Sequence, residues 1–247
     1  MNLIECLELK LPLQVALVGA GGKTTALFQL ARQVNGLAWV TTTTHLGKCQ
    51  SELADKQFEV NSNAEIVLSK LIAQKVTLIT GSSTVHDRLG PPTSEILWIL
   101  HENAASEKIS LFIEADGSRC LPVKAPGEHE PVIPVWVDLV MNVVGLSALG
   151  KPFNPQWVFR PEYFSQITNL KEGDLITIES LADLMVHPNG GFKGIPSQSQ
   201  KVALLNQVDT PDILVQARSI VPKLLEGGYQ KVIVGSLAKA PNDLIVF

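Results

Sequence analysis

The stretch Leu17–Ala31, LVGAGGKTTALFQLA, constrains this chain more than any other, because it forces a turn between a strand and a helix. Val15–Val18 is a short branched apolar run, Gly19-Ala20-Gly21-Gly22 supplies a flexible turn, and Lys23-Thr24-Thr25 opens a segment of helical spacing (Leu27, Leu30, Ala31, Val34). A strand, a turn rich in backbone N–H groups, a lysine and a hydroxyl at a helix mouth are the parts of a phosphate-binding loop. The first glycine of the G-x-x-x-x-G-K-[ST] pattern is absent, Leu17 standing in its place. A purely structural turn explains Gly19 and Gly21. It leaves Lys23 unexplained, since a lysine at the positive end of a helix dipole is unfavourable unless an anion is bound there. A dinucleotide fingerprint fits poorly, because Thr24 occupies the place of the third glycine of G-x-G-x-x-G. Gly19, Ala20, Gly21, Gly22, Lys23, Thr24 and Thr25 are therefore the expected nucleotide-phosphate site.

Six further apolar runs join Val15–Val18: Leu37–Thr42, Val76–Thr80, Ile109–Ile113, Leu139–Val144, Val202–Leu205 and Val232–Val234. None alternates polar with apolar, as is expected of strands buried on both faces of a parallel sheet. With helical patterns between them, they predict an α/β fold with a doubly wound, mostly parallel sheet of about seven strands. A late helix is expected from Thr210 as N-cap, through Pro211 in the first turn and a kink at Pro222, to a stop at Gly227. Residues from about 145 to 200 fit the alternation less well. They contain one clear helix, Ile178–Val186, and are expected to form a helical insertion packed on the same sheet, so that residues 1–247 make a single domain.

The chain has 247 residues and a net charge of −4, and carries no basic run. A nucleic-acid partner is not expected. Three dispersed cysteines form no metal-binding pair and suit a reducing cytoplasm. No apolar run approaches the length of a membrane span, and the N-terminus lacks the pattern of a signal peptide. A cytoplasmic protein without a membrane partner is the expectation.

A phosphate-binding domain also needs an acid at the end of a second strand. Ile113-Glu114-Ala115-Asp116-Gly117 offers two carboxylates on one side of an extended chain. Asp116 is assigned to Mg²⁺, together with Thr24, and Glu114 to a supporting or base role, the two roles being interchangeable at this level. The strand ending in Thr41-Thr42-Thr43-Thr44-His45 is expected to turn Thr43, Thr44 and His45 to the crevice at the same end of the sheet, a hydroxyl there, with Thr43 as the candidate, contacting the γ-phosphate or Mg²⁺. His45 reads equally as a loop residue or as part of an acceptor site. The polar segment from Asp116 to Pro134 holds Arg119, Lys124 and His129, which would form an acceptor site or a solvated loop.

Taken together, GAGGKTT, TTTTH, EADGSR, LPVKAPGEHEPVIP, NVVGLSALGKPF, FRPEYF, HPNGGFKGIP and LNQVD resemble the YqeC-type proteins from Val15 to about Gly235. That family is described as accessory to selenium-dependent molybdenum hydroxylases. The resemblance implies a P-loop NTPase-like fold, a role in cofactor maturation, and a hydroxylase or maturation protein as partner. Within it, Asn206-Gln207-Val208-Asp209 resembles the N-K-x-D motif by which GTPases read guanine, and Ser236-Leu237-Ala238-Lys239 resembles the loop completing such a pocket. Asn206 and Asp209 would then contact the base, Gln207 replacing the usual lysine. Mg²⁺ with GTP, or with ATP, is the implied cofactor set. The function expected is nucleotide hydrolysis or phosphoryl transfer. The alternatives are a nucleotide-gated chaperone or docking module, and a small-molecule kinase or nucleotidyltransferase.

Overall fold

The computed structural model describes residues 1–62 and 74–247. The first half of the chain contains α1 (Leu3–Leu7), β1 (Gln14–Gly19), α2 (Lys23–Gln33), β2 (Ala38–Thr42), β3 (Leu46–Gly47), β4 (Lys56–Glu59), β5 (Val76–Thr80), β6 (Arg88–Leu89), α3 (Ser94–Ser106) and β7 (Ser110–Glu114). Then follow β8 (Val123–Lys124), β9 (Leu139–Gly145), β10 (Val158–Phe159), α4 (Pro161–Thr168) and α5 (Ile178–Val186). The chain ends with β11 (Gln200–Asn206), α6 (Pro211–Ser219), α7 (Val221–Glu226), β12 (Lys231–Val234) and β13 (Ile245–Val246).

Nine of these strands form one sheet in the order β13-β12-β11-β9-β1-β7-β2-β5-β4. Every neighbouring pair is parallel except β12 with β13. All seven apolar runs lie in this sheet, so the doubly wound, mostly parallel α/β architecture stands. The sheet is wider than about seven strands because β4 and β13 are added at its two edges. An edge strand is covered on fewer sides and needs no apolar run: β4 reads Lys-Gln-Phe-Glu, with no residue fully buried.

The inner strands are apolar throughout because successive residues feed different cores. Val15 and Leu17 of β1 face a layer holding Leu27, Leu30 and Ala31 of α2, while Ala16 and Val18 face a layer holding Ile96 and Leu100 of α3. Beyond β9 the second face is covered by residues 145–200. Phe153, Phe164, Leu181 and Met185 share a buried cluster with Ala203, Leu205, Val232 and Val234 of the sheet. The helix Ile178–Val186 has the bounds its sequence predicts. Pro222, with no N–H to donate, does more than kink the late helix: it divides it into α6, capped by the Thr210 hydroxyl, and α7, which ends at Gly227.

Strand order places β1 in the middle, with β2, β5 and β4 laid out beyond β7 on one side and β9, β11 and β12 on the other. The chain's course reverses about β1, and the crevice beyond the carboxyl ends of strands at such a point is where α/β sheets bind ligands.

Candidate functional site

The glycine loop leaves β1 by packing directly on its neighbours. Gly19 has φ +93°, and a Cβ there would stand 2.2 Å from the Val143 carbonyl oxygen. The Ala20 N–H donates to that carbonyl at 2.8 Å and the Gly21 N–H to Leu121 at 3.0 Å. A side chain at either glycine position would push the loop off β9 and off residues 121–122. Helix α2 then starts at Lys23 with Gly22 as N-cap, which brings no side-chain hydrogen bond. Its first-turn N–H groups thus face the crevice with no capping side chain.

Two carboxylates meet this loop, and their partners differ. The Thr24 hydroxyl donates to Glu114 Oε2 at 2.8 Å and accepts from the Gln50 amide at 3.1 Å. Asp116 Oδ2 accepts the Gly19 N–H at 3.0 Å and lies 3.0 Å from Lys124 Nζ, while Lys23 Nζ is 3.2 Å from Asp116 Oδ1. Lys23 also donates to the Gly19 carbonyl at 2.8 Å and stands 4.0 Å from Glu114. The expected pairing of Thr24 with Asp116 is therefore exchanged. The register of β7 on β1 aligns Glu114 with Leu17, so that Glu114 reaches the helix mouth while Asp116, two residues on, lies under Gly19.

Burial and neighbouring charge together shift Lys23 and Glu114. Desolvation lowers the proton affinity of the Lys23 ammonium, but Asp116 and Glu114 outweigh it and hold the lysine above its ordinary range. Desolvation likewise pushes the Glu114 carboxyl up, and Lys23 with the Thr24 hydroxyl offset only part of that rise. Thr24 Oγ1 and Glu114 Oε2 are hard oxygen donors side by side. They fit magnesium, which takes one or two protein oxygens and completes its shell with phosphate and water.

The cleft above has a volume of ≈ 580 Å³. Gly21–Thr25 and Glu114 line it together with two groups from other segments: Thr44, His45, Gln50 and Arg88, and Arg119, Cys120, Glu130, Phe159 and Gln207. The structure thus gathers the loop, Glu114, His45 and Arg119. Thr43 is placed elsewhere: its hydroxyl donates to the Val132 carbonyl at 2.7 Å, and Thr44 takes its place in the cleft. His129 is exposed outside the lining. Lys124 is buried and bound to Asp116, Glu130 and the Gly117 carbonyl, so it is not an open acceptor contact.

The base-reading candidates are partly committed as well. The Asn206 amide donates to the Gly21 carbonyl at 2.7 Å and accepts the Leu237 N–H at 3.0 Å, tying the phosphate loop to the loop after β12. One amide hydrogen and one lone pair remain. Asp209 accepts from the Ser236 hydroxyl at 2.7 Å and lies 3.1 Å from Lys239, contacts that hold its carboxyl below the ordinary range. Gln207 adopts φ +63° and receives the Ser147 hydroxyl at 2.6 Å.

Sequence reasoning missed Gln50 and Arg88, which lie on short segments with no motif, and Phe159, whose motif FRPEYF carries the family resemblance without marking it as a site residue; all three reach the cleft through tertiary packing. Glu130 sits within the polar segment from Asp116 to Pro134, and that polarity is the signal that marks it.

A family model described as YqeC protein matches residues 15–162, which hold the loop, both carboxylates and Phe159. The chain belongs to the YqeC family. A relative from Escherichia coli (strain K12), the protein YqeC, is 28% identical over 244 residues, covering 94% of this chain and 90% of the relative. Among solved structures, chloroplast FtsY from Physcomitrella patens aligns with a TM-score of 0.47 and 14% identity over 98% of this chain. The alignment spans 64% of that FtsY chain. For the YqeC family, the matched region thus encloses the loop and Glu114, while Asn206 and Asp209 lie beyond it.

Among the described residues, no helix is long and apolar enough to cross a membrane.

Proposed function

We propose that this member of the family binds a Mg²⁺–nucleoside triphosphate, GTP in preference to ATP, and hydrolyses it or transfers its phosphoryl group. The observation that carries this reading is the meeting of Thr24 and Glu114, 2.8 Å apart, at the uncapped mouth of α2. Lys23, Thr24 and the first-turn N–H groups would hold the β- and γ-phosphates, the ammonium leaving Asp116 for the more highly charged anion. Thr24 and Glu114 would hold magnesium, which when bound supplies charge neutralisation between the β- and γ-phosphates. The free amide hydrogen of Asn206 and the ionised carboxylate of Asp209 suit the edge of guanine, with Gln207 against its face. The family resemblance adds the biological setting, maturation of the cofactor of a selenium-dependent molybdenum hydroxylase, with that hydroxylase or a maturation protein as partner.

Equilibrium binding of GTP and ATP, with and without Mg²⁺, to the wild type and to Lys23→Ala tests the core of this reading. Triphosphate affinity that is the same in both proteins would sink it. The setting is tested by the selenium content and activity of the hydroxylase in cells lacking this chain, where no change would remove it.

A second reading has one observation in its favour. Asp116 is clamped by the Gly19 N–H, Lys23 and Lys124, and in that arrangement it is not free to activate water. A nucleotide-gated docking module, hydrolysing slowly until a partner rearranges the clamp, would look like this. Fast turnover without any partner would refute it.

A further inference from the structure

The cleft is flanked by two small sheets that lie outside the main one; Arg88 lies on a strand of the first and Arg119 on the loop that leads into the second. In the first, β3 pairs antiparallel with β6, which sets Arg88 opposite Gly47. That side touches the phosphate loop through Gln50, whose amide donates to Thr24 Oγ1 at 3.1 Å. In the second, β8 pairs with β10, placing Phe159 beside Lys124. The Arg119 guanidinium lies over the Phe159 ring at 5.1 Å. Both arginines line the same cleft as Gly22–Thr25.

The two differ from the other cations of the site in being uncompensated. Lys23 is matched by Asp116 and Glu114, Lys124 by Asp116 and Glu130, and Arg160 by Glu130. Among the described residues neither Arg88 nor Arg119 has an ion-pair partner, and the acid next to Arg88, Asp87, is turned to His86 at 2.8 Å. The backbone that presents them is also unusual. Asp87, just before Arg88, has φ +56°, and Arg119 and Cys120 have φ +50° and +61° in succession. Left-handed non-glycine residues are strained and gather at ligand clamps. Exposed guanidinia beside such turns and left without a carboxylate, that of Arg119 also lying over the Phe159 ring, are arranged to grip an oxyanion in their planar forks.

We propose that the cleft takes a second ligand beside the nucleotide, a small molecule bearing a phosphate or carboxylate group that Arg88 and Arg119, both in its lining, hold between them. The proposal rests on the nucleotide reading for its neighbour. The triphosphate already has Lys23, the α2 amides and the Thr24–Glu114 pair, so the two arginines supply charge beyond it. His45 lines the same cleft and offers a hydrogen-bonding ring nitrogen to the rest of the molecule.

Isothermal titration of inorganic phosphate, and in a parallel arm malonate, into protein saturated with Mg²⁺ and a non-hydrolysable GTP analogue tests this. One further anion site is expected, with Arg88→Ala or Arg119→Ala weakening it about tenfold or more and changing analogue affinity less than about threefold. Arg88→Lys and Arg119→Lys, which keep charge and fold but lose the fork, should fall between. The stronger of the two anions identifies the group recognised. Absence of a second site in the saturated wild type would overturn the proposal. So would a loss of analogue affinity in the arginine variants as large as in Lys23→Ala, which would assign them to the triphosphate. Should the wild type bind no analogue but bind anion through the two arginines, the nucleotide reading fails and the arginine site stands.

Discussion

Replacing Asn206 by alanine separates a tie from a base reader. The side chain is 4% exposed and bridges the Gly21 carbonyl at 2.7 Å and the Leu237 N–H at 3.0 Å. Alanine leaves both backbone groups without that partner, each at a cost of about 1–3 kcal/mol when buried. Gly21 lines the cleft and regains water, so the lower part of the summed range applies, about 2–4 kcal/mol. That is a large share of the roughly 5–15 kcal/mol by which a domain is stable. It corresponds to a Tm lower by roughly 4–16 °C for a chain of this size. Urea unfolding at equal m-value is the assay. Asn206→Asp should be worse at neutral pH, because it keeps the acceptor for Leu237 but turns a carboxylate toward the Gly21 carbonyl. If the residue acts through the loop, GTP and ATP affinities fall together in the alanine variant. A stability loss below about 0.5 kcal/mol, within the range of ordinary surface substitutions, would refute the tie. Loss of GTP affinity alone would assign Asn206 to the base.

Three further outcomes are expected. Glu114→Gln should remove most of the gain in nucleotide affinity that Mg²⁺ brings, measured by titration with and without the metal. In the wild type that gain should fade with acid from a pH above 4.5, the ordinary glutamate value, because burial raises the Glu114 pKa and the proton competes with the metal. The sign for stability is the reverse of the usual carboxylate case. A raised carboxyl costs stability above its folded pKa, and the cost is relieved as pH falls, so Glu114 should not drive acid unfolding. Gly19→Ala puts a Cβ 2.2 Å from a carbonyl at φ +93° and should destabilise far more than Gly36→Ala, which meets nothing within 4 Å and bears only backbone strain of about 1–3 kcal/mol. Trp39→Ala, at a fully buried position between β5 and β7, should cost about 3–5 kcal/mol in the same unfolding assay.

Local pattern encodes the inner part of the fold. The seven inner strands, the helix Ile178–Val186, the break at Pro222 and the loop at the mouth of α2 are written in apolar runs, caps and glycines, and each element forms where its own residues favour it. The edge strands escaped, because β4 and β13 are strands through pairing with a neighbour rather than through their own composition. The site divides along the same line. Lys23 and Thr24 are legible because adjacent residues make the motif. Which carboxylate meets Thr24 is not, since Glu114 and Asp116 share one side of a strand and only the register of β7 on β1 chooses between them. The convergence of Arg88 and Arg119 is likewise a product of tertiary structure alone. Each sits on or beside a small sheet built by pairing distant segments, β3 with β6 and β8 with β10, and contacts made across such chain separations leave no periodic trace in the sequence.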